Sequence, residues 1–502
     1  MLRRSNPALK LTIKNINPNL LKAEYAVRGP IVARSEEIKE DLAAGRGNYP
    51  FKTVISCNIG NPQALKQPPL SFYREVLSLC VNPMLVQPEK IDILRKSGLY
   101  QKESIDRALE YLAEIGHWTA TGAYTASKGY PFARKRIAKW MENRDKDAPF
   151  NTPVHFEEIT LTQGASPGIG MVLSALSAAG SVMIPIPQYP LYTATLALQD
   201  TPAIPYYLQE AKNWGFDMKG LKESYDKATK DHGKPPAALV AINPGNPTGQ
   251  VNSLEEMKGL VQFCYDNDLV LLADEVYQEN IYTADKKFRS FREVVLSMDD
   301  KAVREGVQLA SFHSTSKGVI GECGRRGGLM HLMNFPKDVI AQFDKYQSIQ
   351  LCPNVDGQIM TTLMIDPPPA GTEADAQFKK EYNAVMESYK TKAKLVQEGL
   401  NKVDGITCNP AEGAMYLFPS LTLSEKYIEY AISQGFTRES ADACWVKGLV
   451  EEKGVVVVPG SGFEQVPGTY HFRITILPPE DQIKRCVDDI TSYQASIHKK
   501  FA

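Results

Sequence analysis

The sequence predicts an α/β protein in which a mostly parallel sheet, sandwiched by helices, forms a large domain next to a smaller α+β domain. Two observations support this fold class. Short apolar runs alternate with longer stretches of helical periodicity through the middle of the chain, as in repeated βαβ units. The chain also has 502 residues, which is long enough for a large core and for more than one domain.

The predicted strands of the large domain are short and apolar. In chain order they cover residues 158–162, 182–186, 237–242, 269–273 and 308–312. The turn Gly164-Ala165-Ser166-Pro167 follows the first of them, and a helix is predicted from about Gly168. Ligands of parallel sheets bind beyond the carboxyl ends of the strands, and the unusual motifs of this chain follow such ends.

The domain limits are predicted from one breaker segment and one long helix. Asp-Pro-Pro-Pro-Ala-Gly at 366–371 is typical of a boundary, and helical periodicity follows over about 376–402. Strands are then expected near 455–458 and 470–477. We therefore predict an N-terminal arm and the first part of the small domain in 1–105, a large domain in 106–365, and the rest of the small domain in 366–502.

The composition excludes several classes of protein. Hydrophobic residues make up 43% of the chain, charged residues make up 23%, and the formal net charge is −1. Without a basic block or a long apolar run, neither nucleic acid nor a membrane is an expected partner. The eight cysteines form no CxxC pair and the seven histidines form no HExxH motif, so free thiols and no metal site are predicted.

The first 23 residues leave two compartments open. They contain five basic residues and no acidic one, a composition that resembles a weak mitochondrial transit segment. Two Asn-Pro turns and few serines are equally typical of an ordinary basic arm. The cytoplasm is the predicted compartment, and the mitochondrion is the alternative.

Lys317 lies in Phe-His-Ser-Thr-Ser-Lys-Gly, directly after the last predicted strand of the large domain. A lysine amine can form a Schiff base with an aldehyde, which is how pyridoxal phosphate (PLP) enzymes hold their cofactor. The same letters fit the S-x-x-K motif of penicillin-binding enzymes, but the chain lacks the S-D-N and K-T-G triplets of those proteins. The PLP interpretation is therefore favoured.

A PLP site also needs groups that bind a phosphate. The Gly164-Ala165-Ser166-Pro167 turn would expose the backbone amides of a helix N-terminus, where the helix dipole favours an anion. Ser314, Ser316 and one of the adjacent arginines, Arg325 or Arg326, would complete the phosphate site. Arginine suits this role because its planar guanidinium donates two parallel hydrogen bonds.

The cofactor ring makes two further demands. Asp274 ends the apolar run Leu-Val-Leu-Leu-Ala-Asp, and its carboxylate would keep a pyridine nitrogen protonated. Asn246 and Tyr277 could both donate a hydrogen bond to the phenolic oxygen. Those bonds would lower the pKa of the Schiff base, so that a substrate amine could enter near neutral pH.

Six longer motifs occur in the chain in a fixed order. They are A-E-Y-A-V-R-G at 23–29, N-I-G-N-P-Q-A at 58–64, I-P-Q-Y-P-L-Y at 186–192, N-P-G-N-P-T-G at 243–249, A-D-E-V-Y-Q-E-N at 273–280 and H-S-T-S-K-G-V-I-G-E-C-G-R-R-G-G at 313–328. Together they are similar to the fold-type-I PLP-dependent aminotransferases, and in detail they resemble the alanine aminotransferase family. The resemblance covers most of the chain and implies the PLP-dependent transferase fold of type I.

The resemblance also implies a role for each site residue. Lys317 would be the Schiff-base lysine and the proton shuttle. Arg473 would bind the substrate α-carboxylate, with Gly60 and Asn246 close to the substrate. The residues implied to bind the cofactor are Ala165, Ser166, Tyr189, Asn246, Asp274, Tyr277, Ser314, Arg326 and, from the neighbouring subunit, Tyr124. Many related aminotransferases place the phosphate arginine eight residues after the lysine, which would select Arg325. The family's G-x-R-G-G pattern selects Arg326, which we prefer.

The implied reaction is a ping-pong transfer of the amino group from L-alanine to 2-oxoglutarate, which gives pyruvate and L-glutamate. The alternative is a glutamate–glyoxylate aminotransferase, which shares most of these motifs. A PLP-dependent lyase and a non-catalytic PLP-binding regulator are less favoured, because the chain has the full set of catalytic candidates and no evident DNA-binding segment. A homodimer with shared sites is also implied.

Overall fold

The structure is a computed structural model that describes residues 11–25, 29–117 and 120–502. Within these residues, an eight-stranded sheet forms the centre of the large domain. The strands of the whole described chain are β1 Ile55–Ser56, β2 Ile159–Thr162, β3 Val182–Ile186, β4 Ala203–Gln209, β5 Gly215–Phe216, β6 Ala238–Ile242, β7 Val270–Asp274, β8 Leu309–Ser314, β9 Gly328–Met333, β10 Ile406–Thr407, β11 Tyr416–Leu417, β12 Ser420–Leu421, β13 Val455–Val456, β14 Val458–Pro459 and β15 Tyr470–Thr475.

Helices cover both faces of the central sheet and form much of the smaller domain. They are α1 Pro18–Lys22, α2 Pro30–Ala43, α3 Ser71–Val81, α4 Pro88–Ser97, α5 Lys102–Ile115, α6 Pro131–Arg144, α7 Ala165–Leu176, α8 Leu191–Leu198, α9 Met218–His232, α10 Leu254–Asp266, α11 Phe291–Val295, α12 Lys301–Gly306, α13 Lys337–Ile349, α14 Val355–Ile365, α15 Glu373–Leu400, α16 Glu425–Ser433, α17 Ala441–Lys453 and α18 Glu480–Lys500. Among the described residues, no helix combines the length and apolar character needed to cross a bilayer.

The central sheet has the strand order β2-β9-β8-β7-β6-β3-β4-β5. The pairs from β8 through β7, β6 and β3 to β4 are parallel, whereas β9 runs antiparallel to both of its neighbours. Strands β3, β6, β7 and β8 are buried at every residue, as expected for a sheet with helices on both faces. Their carboxyl ends meet at one edge, which confirms the predicted mostly parallel α/β architecture.

One predicted helix start was wrong. Helix α7 begins at Ala165, three residues before the predicted Gly168. Gly164 has φ +89°, a conformation that favours glycine, and the chain turns there from β2 directly into the helix. Pro167 lies in the first turn of α7, where its missing N–H has no intrahelical partner to lose.

The smaller domain is built from distant parts of the chain. Strand β15 is central to a sheet with β10, β11, β12 and β14, and helices α15 and α18 pack together beside it. Strand β1 pairs in parallel with β13, so a segment before residue 105 joins one after 366. The exact limits at 105 and 366 stay a prediction.

Candidate active site

A cavity of about 500 Å³ opens at the carboxyl edge of the central sheet and borders the smaller domain. Eleven of the twelve predicted site residues line it, and Tyr124 is the exception. The eleven are Gly60, Ala165, Ser166, Tyr189, Asn246, Asp274, Tyr277, Ser314, Lys317, Arg326 and Arg473. The topology explains this, because Asp274 ends β7, Asn246 follows β6 and Lys317 follows β8.

Asp274 has a carboxylate that is only half satisfied. Tyr192 donates a hydrogen bond to Oδ2 at 2.9 Å, whereas the buried Oδ1 has no partner within the described residues. Burial raises the pKa of Asp274 to about 6, although the Tyr192 hydroxyl, the Val276 N–H and the positive charge of Lys317 lower it. A cationic ring nitrogen against Oδ1 would satisfy this oxygen and stabilise its charge.

The Lys317 amine contacts the loop that contains Gly60. Its Nζ donates a hydrogen bond to the carbonyl oxygen of Gly60 at 2.8 Å. A β-carbon on Gly60 would lie 1.9 Å from the Tyr416 hydroxyl oxygen and 2.9 Å from Lys317 Nζ. A β-carbon at position 60 would therefore displace the tyrosine hydroxyl, the lysine amine or both, and so disturb the site.

Arg473 is a buried cation without a carboxylate partner among the described residues. Its side chain is 1% exposed. Nη1 donates to Asn246 Oδ1 at 3.0 Å, Nη2 donates to the Asn58 carbonyl oxygen at 2.6 Å, and Nε has no partner in the described part of the chain. A buried guanidinium paired only with neutral acceptors is costly unless an anion joins it. The carboxylate of a substrate would supply that anion.

Asn246 forms hydrogen bonds with both Arg473 and Tyr277. Besides accepting a hydrogen bond from Arg473, it donates Nδ2 to the Tyr277 hydroxyl at 3.5 Å. Burial raises the pKa of Tyr277 well above its ordinary value. The Tyr277 hydroxyl therefore stays protonated and can act as a hydrogen-bond donor. Its predicted role in holding a phenolic oxygen stays a prediction.

The side of the cavity next to α7 is suited to an anion. Helix α7 begins without a side-chain cap from the described residues, so its first amides are available to a ligand. Arg326 lies against this turn: its Nη2 donates to the Gln163 carbonyl at 2.8 Å, and a β-carbon on Gly164 would lie 2.5 Å from that nitrogen. The Ser314 hydroxyl donates to the Gly327 carbonyl, whereas the buried Ser316 hydroxyl has no partner that the structure describes.

The two adjacent arginines point to different places. Arg326 lines the cavity, whereas Arg325 lies 3.4 Å from Asp356 Oδ2 and 3.9 Å from Glu322 Oε2. Tyr124 lies outside the cavity, with 78% of its surface exposed. It shares a second depression with Arg325. The geometry is compatible with Arg326 as the phosphate ligand and leaves Tyr124 able to face another molecule.

Several residues of the site were not predicted, and three of them are tyrosines. Tyr25 lines the mouth of the cavity, and its hydroxyl lies 2.6 Å from that of Tyr189. Tyr192 holds Asp274, and Tyr416 lies beside Lys317. Tyr25 and Tyr192 fall inside the motifs at 23–29 and 186–192, but no spacing rule reveals which hydroxyl reaches which partner. Residues 26–28 of the first motif lie outside the described residues.

Comparisons with known proteins show which family the chain belongs to. The model of the family described as aminotransferase class I and II matches residues 94–490. The mitochondrial alanine aminotransferase 1 of Arabidopsis thaliana is 45% identical over 499 residues, which cover 99% of this chain and 89% of the plant protein. Alanine aminotransferase 1 of Homo sapiens is 40% identical and covers 100% of this chain and 98% of its own.

Solved structures show the same fold. An alanine aminotransferase from Pyrococcus furiosus superposes with a TM-score of 0.72 at 20% identity, covering 96% of this chain and 99% of its own. An aminotransferase from Escherichia coli gives a TM-score of 0.71 at 23% identity, covering 96% and 98%. The chain belongs to the class I and II aminotransferases and, within them, to the family of alanine aminotransferases. The predicted family and fold are therefore confirmed, and PLP is the cofactor that this family implies.

Proposed function

We propose that the protein is a PLP-dependent alanine aminotransferase that transfers the amino group of L-alanine to 2-oxoglutarate in a reversible ping-pong reaction. One observation carries the proposal. Within the described residues, a single cavity brings together an aspartate with an unpaired oxygen, a lysine amine and a buried arginine without a counter-ion. The relatives of similar length that carry the name alanine aminotransferase support the choice of substrate.

The described residues fit PLP at each end. Asp274 Oδ1 would bind the ring nitrogen, and Asn246 and Tyr277 would bind the phenolic oxygen. Ala165, Ser166, Ser314 and Arg326 would bind the phosphate, with Tyr189 stacked on the ring. PLP would supply an aldehyde that bonds to amines. Its cationic ring would withdraw electrons from the α-carbon of the amino acid bound to it.

Lys317 has two tasks in this scheme. Its amine would hold the cofactor through the aldehyde in the absence of substrate. Once a substrate amine had displaced it, Lys317 Nζ would take the α-proton of the amino acid and deliver it to the cofactor carbon that had carried the aldehyde. The hydrogen bond from Nζ to the Gly60 carbonyl holds the amine on the substrate side of the cavity.

Arg473 would fix the orientation of the substrate. A guanidinium can bind a carboxylate through two parallel hydrogen bonds, and the Nε of Arg473, unpaired among the described residues, is one available donor. The hydrogen bonds to Asn246 and Asn58 hold its other two nitrogens in place. With the carboxylate bound there, the α-carbon would face Lys317.

We also infer a homodimer in which Tyr124 reaches the phosphate of the neighbouring subunit. Its exposure in the single chain supports this placement. Sedimentation should then show a dimer, and Tyr124→Phe should weaken PLP binding by about 1 kcal/mol, the size of one ordinary hydrogen bond.

For the compartment, the names of relatives from Arabidopsis thaliana and Dictyostelium discoideum favour the mitochondrion over the predicted cytoplasm. Cell fractionation decides between them.

An absorbance experiment tests the central proposal. The purified protein should show the band of lysine-bound PLP, L-alanine should bleach it, and 2-oxoglutarate should restore it. A parallel sample that receives glutamate and then glyoxylate tests the alternative activity. Recovery that is much faster with glyoxylate would overturn the choice of 2-oxoglutarate, and an absent band would overturn the cofactor assignment.

A further inference from the structure

The hydroxyl of Tyr416 lies near Gly60, the residue whose carbonyl accepts a hydrogen bond from the Lys317 amine. Tyr416 is 2% exposed and lines the cavity. Its hydroxyl oxygen and Lys317 Nζ lie 1.9 Å and 2.9 Å from the same point, the position of a β-carbon on Gly60. The two groups therefore border the same small space beside Gly60, where Lys317 Nζ donates its hydrogen bond to the Gly60 carbonyl oxygen.

The structure holds this ring firmly. The residue belongs to β11, where it pairs with Thr475 of β15. The Arg473 guanidinium carbon lies 4.1 Å from the centre of the ring, and the Tyr277 ring meets it edge-on at 6.0 Å. With one face covered by a cation and the backbone in a sheet, the hydroxyl has little freedom to turn away from Lys317.

The charges around Tyr416 differ from those around its neighbours. Burial, together with the nearby Asp274 carboxylate, raises the pKa of Tyr192 and of Tyr277. At Tyr416 the positive charges of Lys317 and Arg473, with a hydrogen bond from Tyr277, outweigh burial and lower the pKa. The titratable groups that face it are Lys317, Arg473, Tyr277, Cys323, Tyr189 and Tyr389.

We propose that Tyr416 is a positioning residue, whose hydroxyl, beside Gly60, exchanges a proton with the Lys317 amine. The exchange moves one proton from the ammonium nitrogen to the phenolate oxygen, which leaves a neutral amine and a phenol. A neutral amine is what Lys317 needs before it can take a proton from carbon. The inference rests on the proposed function of the site.

Tyr416→Phe tests the hydroxyl alone, because the ring stays and can still stack on Arg473. We expect kcat for L-alanine to fall on the order of 10- to 100-fold, with KM changed by no more than about twofold. Tyr206→Phe is the matched control, since its buried hydroxyl donates to the Val240 carbonyl outside the site. A kcat within about twofold of the wild type, or a loss confined to KM, would overturn the proposal.

An ultraviolet titration gives a readout that needs no turnover. In the cofactor-free protein, one tyrosine should ionise below the ordinary pKa of about 10, and this signal should be missing from Tyr416→Phe and present in Tyr206→Phe. If Tyr416→Phe does not fold, the wild type and Tyr206→Phe still decide, because absence of the low-pH signal in both contradicts the proposal. A wild type that shows the signal but does not transaminate L-alanine would overturn the proposed function instead.

Discussion

The two ends of the cavity differ in how far the chain encloses them. At the ring end, Asp274, Asn246, Tyr277 and Arg473 are each 5% exposed or less. At the phosphate end, Arg326 is exposed and Tyr124 is 78% exposed. The ring end therefore consists of groups removed from water, whereas the phosphate end combines a helix N-terminus with a solvated cation.

This difference predicts how each end responds to mutation. In a buried site, removing one member of a polar pair leaves the other unsatisfied, which costs more than the bond itself. At an exposed site, water replaces the lost group and the cost is smaller. Substitutions at the ring end should therefore reduce activity far more than substitutions at the phosphate end or at the mouth.

The largest effect is expected for Lys317→Ala. This change removes both the anchor and the proton-transfer group, so turnover of L-alanine should fall by about 10⁴-fold or more. PLP should still bind through Asp274 and the phosphate site. Steady-state rates and cofactor absorbance measure the two properties separately. Transamination at a normal rate by this variant would refute the assignment of Lys317.

The next largest effect concerns Asp274→Asn. Loss of the carboxylate should lower kcat by about 10²- to 10³-fold, as for other preorganised electrostatic groups. The same change should stabilise the cofactor-free protein above pH 6. Burial raises the pKa of Asp274 to about 6, against about 3.9 in an unfolded chain, so ionising it in the folded state is unfavourable.

The sign of the pH dependence follows from proton binding. Between about pH 4 and 6 the folded wild type binds more protons than the unfolded chain, so its free energy of unfolding falls as the pH rises. The loss is complete above pH 6 and amounts to about 3 kcal/mol at most. The amide of the Asp274→Asn variant does not titrate. Burial, with a smaller contribution from the Asp274 charge, raises the pKa of Glu275 to about 7, so the loss of that charge adds to the gain in stability of the variant at high pH. Thermal unfolding of the cofactor-free pair at pH 4 and pH 8 should show the variant gaining stability only at pH 8.

A smaller effect is expected at the phosphate end. Arg326→Ala should weaken PLP binding by about 1.5–3 kcal/mol, which is the range for hydrogen bonds to a charged group. Arg325→Ala is the matched control, because its guanidinium lies near Glu322 and Asp356 instead. Titration of the dialysed enzyme with PLP measures both constants. A greater loss for Arg325→Ala would reverse the assignment that the family pattern favours.

The two ends also differ in what the sequence could predict. The ring end follows from chain order, because parallel strands bring Asn246, Asp274 and Lys317 to one edge of the sheet. The contacts of Tyr192 and Tyr416 depend on how separate segments pack, and no local pattern encodes them. The start of α7 was predicted wrongly because it depends on the backbone conformation of Gly164. The residues that follow, Ala165, Ser166 and Pro167, are typical of a turn and do not indicate that conformation.

The smallest effect is expected at the mouth, where the described part of the N-terminal arm, which contains α1, lies against α8. Lys22 pairs with Asp200 at 2.8 Å, and Tyr25 meets the Tyr189 hydroxyl at 2.6 Å. Tyr25→Phe should cost about 0.5–1.5 kcal/mol, seen as a roughly two- to tenfold rise in KM for L-alanine at nearly unchanged kcat. Lys22→Ala removes only an exposed ion pair and should change KM by less than about twofold. If Lys22→Ala raises KM as much as Tyr25→Phe, the position of the whole arm, and not the tyrosine hydroxyl, controls access to the cavity.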